Sequence, residues 1–135
     1  MKVAYKTDIG KKRTHNEDSI LVDELLHIFL LADGMGGHQA GEVASDLAIK
    51  ESYAWLKENL DTARNEENIP NLLVESLLKS HHTVRAGSAT DINLAGMGTT
   101  LIQMLLAGNN AHICHVGDSR AYLIRNGIKQ ITQDH

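Results

Sequence analysis

Four carboxylates in this 135-residue sequence stand where side chains are held for chemistry: Glu17, Asp18, Asp33 and Asp118. Asp33 follows the uninterrupted apolar run Ile28 to Ala32, so its backbone is fixed by a strand that such a run predicts to be buried on both faces. Gly34, Gly36 and Gly37 follow it and allow the chain to turn and a carbonyl oxygen, that of Gly34, to face a ligand without a Cβ in the way. Oxygen donors without soft ligands select Mg²⁺ or Mn²⁺ over zinc or copper. Taken singly, each of these acids also suits an ordinary turn.

Other chemistries are tested by spacing. Gly36 and Gly41 have the glycine spacing of a P-loop, but Glu42 and Val43 occupy the positions of its Lys and Ser/Thr. An aspartyl-nucleophile phosphatase needs a second Asp two residues after the first, where Met35 stands. His81 and His82 are adjacent and diverge on a helix, and His112 and His115 point to opposite faces of a strand, so no zinc spacing arises. Cys114 and Arg120 match the Cys-to-Arg spacing of cysteine-dependent phosphatases, with Gly117 between them. Against a thiolate nucleophile stand Ile113 in place of the usual His, a hairpin pattern after Arg120 where a helix is required, and Asp118 inside a cradle meant for a dianion. Cys114 reads better as a small buried strand residue.

Composition bounds the remaining classes. The length suits a single domain, and 42% apolar residues close a modest core. A net charge of -4 disfavours nucleic acid and anionic membrane as main partners. One cysteine permits no internal disulfide, and neither a bilayer-length apolar run nor a signal-peptide core is present, so a cytoplasmic protein is expected.

The elements that must position the acids follow in order. Val3 to Thr7 reads as a strand, residues 11–18 as a basic polar loop, and Ser19 to Asp23 as a half-buried strand with Ile20 and Val22 on one face. Gly41 to Leu60 carries two apolar stripes, predicting a helix covered by a sheet and by a second helix. After a charged connector, Asp61 to Asn68, Pro70 suits the first turn of that second helix, which should run to about Ala86 and stop at Gly87. A polar loop from Ser88 to Gly96 precedes strands over Thr99 to Ala107 and Ala111 to Val116. Ala121 to Ile124 and Ile128 to Thr132 flank Asn126-Gly127, a type I′ hairpin signal. Grouped helices and hairpin strands imply a layered α+β domain with antiparallel sheets.

Four stretches then carry a resemblance: Arg13-Thr14-His15-Asn16-Glu17-Asp18, Asp33-Gly34-Met35-Gly36-Gly37-His38, Gly98-Thr99-Thr100, and Val116-Gly117-Asp118-Ser119-Arg120-Ala121-Tyr122. In this order they closely resemble the motifs of the bacterial metal-dependent serine/threonine protein phosphatases of type 2C. The resemblance implies an α-β-β-α sandwich with helices outside, and hydrolysis of phosphoserine and phosphothreonine by a metal-activated water. It implies that Asp33 bridges two Mn²⁺ or Mg²⁺ ions, with the Gly34 carbonyl completing one sphere. Glu17 and Asp18 would hold metal-bound waters, Arg13 would bind the substrate phosphate, and Asp118 would support the cluster or a third ion. The implied partner is a phosphoprotein made by a serine/threonine kinase. Met35 replaces the His of many eukaryotic members, and His38 is not assigned as the general acid. The family's later acidic motifs would lie beyond His135, so residues 1–135 are expected to be the N-terminal portion of a catalytic domain. The alternative function is an incomplete fragment that folds and either self-associates through unpaired sheet edges or binds phosphoprotein, without turnover.

Overall fold

The computed structural model describes residues 1–36, 39–63 and 66–135. Its main layer is a five-stranded antiparallel sheet, β1 (Asp18–Asp23), β2 (Ile28–Met35), β3 (Gly98–Thr99), β4 (Leu101–Ala107) and β5 (Asn110–Val116), in the order β1-β2-β4-β5 with β3 also on β2. Two long helices, α1 (Ala40–Asn59) and α2 (Ile69–Thr90), cover one face. The class is α+β, as the grouping of elements implies.

Side chains alternate along β2. Ile28, Leu30 and Ala32 are buried under the helices with Ile49, Leu56 and Leu73, while Leu31 on the other face stays 39% exposed. The expected burial of this strand on both faces is thus corrected: the helices cover only one. On the opposite face Ile20, Val22, Phe29, Leu31, Met104 and Ile113 line an apolar concavity, against which Met1 to Ala4 lie without strand pairing. A sandwich of two full sheets is not formed among the described residues. A separate two-stranded ribbon, β6 (Tyr122–Ile124) paired with β7 (Ile128–Gln130), is exposed throughout.

Three further expectations are corrected. Val3 to Thr7 forms no strand, because an extended segment needs a neighbouring strand for its amides and none is present there. The second helix does not stop at Gly87 but runs to Thr90. Gly87 packs against the Met97 and Leu47 side chains, so its missing Cβ serves helix packing instead of chain reversal. The loop expected at Ser88 to Gly96 shrinks accordingly and contains a 3-10 turn, Ile92–Leu94, capped by the Asp91 side chain. Finally, β2 continues through Asp33, Gly34 and Met35, so Asp33 lies within the strand and the turn begins at Gly36.

Small residues let the helices approach closely. Ser52 and Ser76 share a 2.9 Å hydroxyl hydrogen bond, and the Ser80 hydroxyl donates to the Ala48 carbonyl at 3.1 Å. These buried hydroxyls are satisfied across the α1–α2 contact, which removes the cost of burying them. A hairpin forms where Asn126-Gly127 signals it, with φ of 54° and 134°, but Ile124 pairs with Ile128, so Arg125, Asn126 and Gly127 make a three-residue connection instead of the two-residue type I′ turn.

Candidate metal centre

The acids meet at one end of the sheet. Asp18 opens β1 and is the register partner of Asp33 on β2. One residue earlier, the Glu17 carbonyl accepts a 3.0 Å hydrogen bond from the Gly34 amide, so the chain entering β1 is tied to the β2 segment that carries Asp33. The Glu17 side chain is 17% exposed and lies against Gly41 in the first turn of α1. A Cβ on Gly41 would stand 2.5 Å from Glu17 Oε1, and a Cβ on Gly34 would collide with the Gly41 carbonyl oxygen. Gly34 is therefore required by close approach of backbones, and Gly41 leaves room for the Glu17 carboxylate.

Arg13 reaches the group from the loop before β1, with its guanidinium 3.7 Å from Glu17 Oε2 and its side chain 66% exposed. Asp118 approaches from the turn after β5 and, with Asp18, acts on the Asp33 charge. The Asp33 carboxyl is pushed above its ordinary value of 3.8 by partial desolvation first, then by the Asp18 charge, with Asp118 adding to both; the Arg13 cation opposes them. Asp33, Asp18, Asp118, Glu17, Gly34 and Arg13 are thus brought to one end of the fold. Gly37 and His38 lie outside the described residues.

Among the described residues no three Asp, Glu, His or Cys side chains converge tightly enough to ligate a single ion directly. The donor set nevertheless fits a hard divalent cation: it is all oxygen, and its mutual repulsion, visible at Asp33, is the energy a cation would relieve. Loose spacing around one central carboxylate suits Mg²⁺ or Mn²⁺, ions that are commonly held by one or two carboxylates and retain waters.

The thiolate alternative does not fit. Cys114 on β5 is half-buried against the helix-side core, and desolvation pushes its thiol up from 9.0, away from the thiolate. The Arg120 guanidinium is engaged in a fork with Asp134, Nε to Oδ1 at 3.0 Å and the terminal nitrogen to Oδ2 at 2.7 Å. The ribbon follows it, and no helix N-terminus is present to receive a phosphate.

Sequence reasoning noted Gly98-Thr99-Thr100 as a motif without giving it a task. The Thr100 amide donates to the Asp33 carbonyl at 2.9 Å, and the Thr99 hydroxyl donates to the same oxygen at 3.0 Å. The Asp33 amide in turn donates to Thr100 Oγ1 at 2.9 Å. Two adjacent hydroxyls where β3 gives way to β4 were the available signal.

A family profile described as Protein phosphatase 2C matches residues 10–134. The chain is 40% identical over 140 residues to the serine/threonine phosphatase stp of Listeria monocytogenes serotype 4b, covering 100% of this chain and 55% of that protein. It is also 40% identical over 142 residues to the serine/threonine protein phosphatase PstP of Mycobacterium tuberculosis, covering 99% of this chain and 25% of PstP. The crystal structure of Mycobacterium tuberculosis PstP/Ppp superposes with a TM-score of 0.81 at 40% identity, over 96% of this chain and 52% of that one. A structure of the PstP catalytic domain in complex with 2 manganese ions gives the same TM-score, over 54% of its chain. The present chain spans about half the length of the Listeria relative and of these solved structures. With the profile running across nearly all of it and the fold reproduced over the same span, this chain belongs to the protein phosphatase 2C family.

Proposed function

We propose that this chain contributes the Asp33 half of a metal-dependent phosphatase that hydrolyses phosphoserine and phosphothreonine in proteins. The observation that carries the reading is the meeting of Asp18, Asp33 and Asp118 at one sheet end, with Arg13 beside them. Asp33 and the Gly34 carbonyl would hold Mn²⁺ or Mg²⁺, with Glu17 and Asp18 reaching the ions through waters and Asp118 supporting the cluster. When bound, such ions acidify a water so that it attacks phosphorus near neutral pH. Arg13, exposed at the mouth, receives the phosphate oxygens, its fork geometry matching two of them. Glu17 lies 3.7 Å from that guanidinium and would help to position it. The substrates would be products of a serine/threonine kinase, and the setting cytoplasmic signal transduction. No helix of the described residues is long and apolar enough to cross a membrane.

The test is phosphate release from a phosphothreonine peptide with Mn²⁺, with EDTA, and in the Asp33→Asn variant. Turnover should need the metal and vanish in the variant; turnover that survives EDTA would overturn the reading.

A second reading rests on the uncovered sheet face and on the open edges at β1, β5 and the ribbon. Expressed alone, the chain would associate with itself there and release no phosphate. Light scattering at high protein concentration decides this, and a strict monomer rules it out.

A further inference from the structure

We infer that Thr100 is the positioning residue that locks Asp33 and Asp118 into one unit. The functional consequence rests on the phosphatase reading above, but the geometry does not. Thr100 contacts both acidic segments at once. Toward β2 it makes a reciprocal pair with Asp33: its amide donates to the Asp33 carbonyl at 2.9 Å, and its Oγ1 accepts from the Asp33 amide at 2.9 Å. Toward the turn after β5, the same Oγ1 shares a 2.7 Å hydrogen bond with Ser119 Oγ. Its methyl group lies so close over Gly117 that a Cβ there would stand 2.6 Å from Thr100 Cγ2.

Gly117 and Ser119 flank Asp118, so a single side chain holds the turn of Asp118 from both sides. That turn is braced again from outside. The His135 amide donates to the Gly117 carbonyl at 3.2 Å, and Arg120 forks onto Asp134. Serine at position 100 would keep the hydroxyl and lose the methyl; valine would keep the shape and lose the hydroxyl. The hydroxyl carries the link from Asp33 to Ser119, because it is the only atom that touches both in the described hydrogen bonds.

Asp33 and Asp118 repel each other, which gives the unit its purpose. The β2-β4-β5 ladder sets the register of the two segments, and the Thr100 hydroxyl adds the side-chain link that holds their ends against that repulsion before a cation binds. A partner outside the ligand set that orients it typically changes metal affinity by about 10–100-fold.

The experiment compares the full chain with Thr100→Val, Thr100→Ser, Ser119→Ala and the Thr100→Val/Ser119→Ala double variant. Hydrogen exchange at the Asp33 amide is measured in EDTA, and Mn²⁺ affinity by the loss of free-ion signal in electron paramagnetic resonance. In Thr100→Val the Asp33 amide should exchange about tenfold faster than in the parent, and Thr100→Ser should restore it. Mn²⁺ binding should weaken about tenfold or more in Thr100→Val. Ser119→Ala should weaken it as well, and the double variant should be no weaker than Thr100→Val, since both changes break one relay. Unchanged Asp33 exchange in Thr100→Val, or strictly additive losses in the double variant, overturns the inference. If Thr100→Val does not fold, Ser119→Ala carries the test: unchanged Mn²⁺ affinity in that variant is equally fatal. A parent chain that binds no Mn²⁺ at all counts against the phosphatase reading instead, and the exchange measurement then judges Thr100 alone.

Discussion

Asp18 and Asp33 face each other directly across β1 and β2, two like charges in one cross-strand pair. Such a pair opposes folding, and the Asp33 carboxyl is raised by desolvation first and by the Asp18 charge second. An acid whose folded value is raised contributes stability that is present below its ordinary 3.8 and lost as pH rises through the folded value. Asp33→Asn should therefore raise the thermal midpoint in EDTA at neutral pH, with the gain fading at acid pH. Adding Mn²⁺ should raise the midpoint of the parent and leave the variant unmoved. A variant less stable than the parent in EDTA would contradict this account.

Gly34 and Gly41 bring two backbones into contact where β2 meets α1, with the Glu17 carboxylate beside them. Gly34→Ala places a methyl onto the Gly41 carbonyl, and overpacking of this kind costs about 3 kcal/mol. Urea titration followed by helix signal measures it. A loss below about 0.5 kcal/mol, the range of an ordinary surface change, would mean that the contact is easily relaxed.

Gln103 on β4 is fully buried, yet among the described residues neither amide atom has a hydrogen-bond partner. Its neighbours on the helix side, Leu101 and Leu105, are core residues. Gln103→Leu should stabilise the chain by about 1 kcal/mol by removing two orphaned polar atoms. Destabilisation in the same urea titration would reveal a buried water bonded to the amide.

Cys114 should behave as a packing residue. Its thiol, pushed up by burial, should react with iodoacetamide at neutral pH more slowly than a free thiol. Cys114→Ala should leave any Mn²⁺-dependent phosphate release unchanged. Fast alkylation that abolishes turnover would return the thiolate mechanism to consideration.

Local patterns were legible where they decide structure alone. The double stripe of α1 foretold its two neighbours, and Asn126-Gly127 fixed the hairpin. Asp33 was legible as a rigidly held acid because an apolar strand run leads into it, although the strand continues past it to Met35. What failed depended on neighbours that no local window contains. Val3 to Thr7 has strand character but no strand beside it, and Leu31 belongs to an apolar run whose outer face meets no covering layer. Gly87 looked like a stop because a glycine needed for packing against Met97 has the same letter as one needed for a turn. The Thr100 relay was hidden for a related reason, since hydroxyls 67 and 19 residues from their partners leave no periodic trace.

The described hydrogen bonds that fasten the β6–β7 ribbon lie near its base: the Ile131 amide on the Ala121 carbonyl at 2.8 Å, the Ala121 amide on Thr132 Oγ1 at 3.0 Å, Gln130 on Asp134, and the fork of Arg120 with Asp134. Tyr122, Ile124 and Ile128 on it are at least half exposed and bury little when it forms. Heating should consequently detach the ribbon before the helices melt, so that hydrogen exchange at the β6 and β7 amides and helical ellipticity trace two separate curves. A single midpoint fitted to this chain would average a loose flap with a firm body.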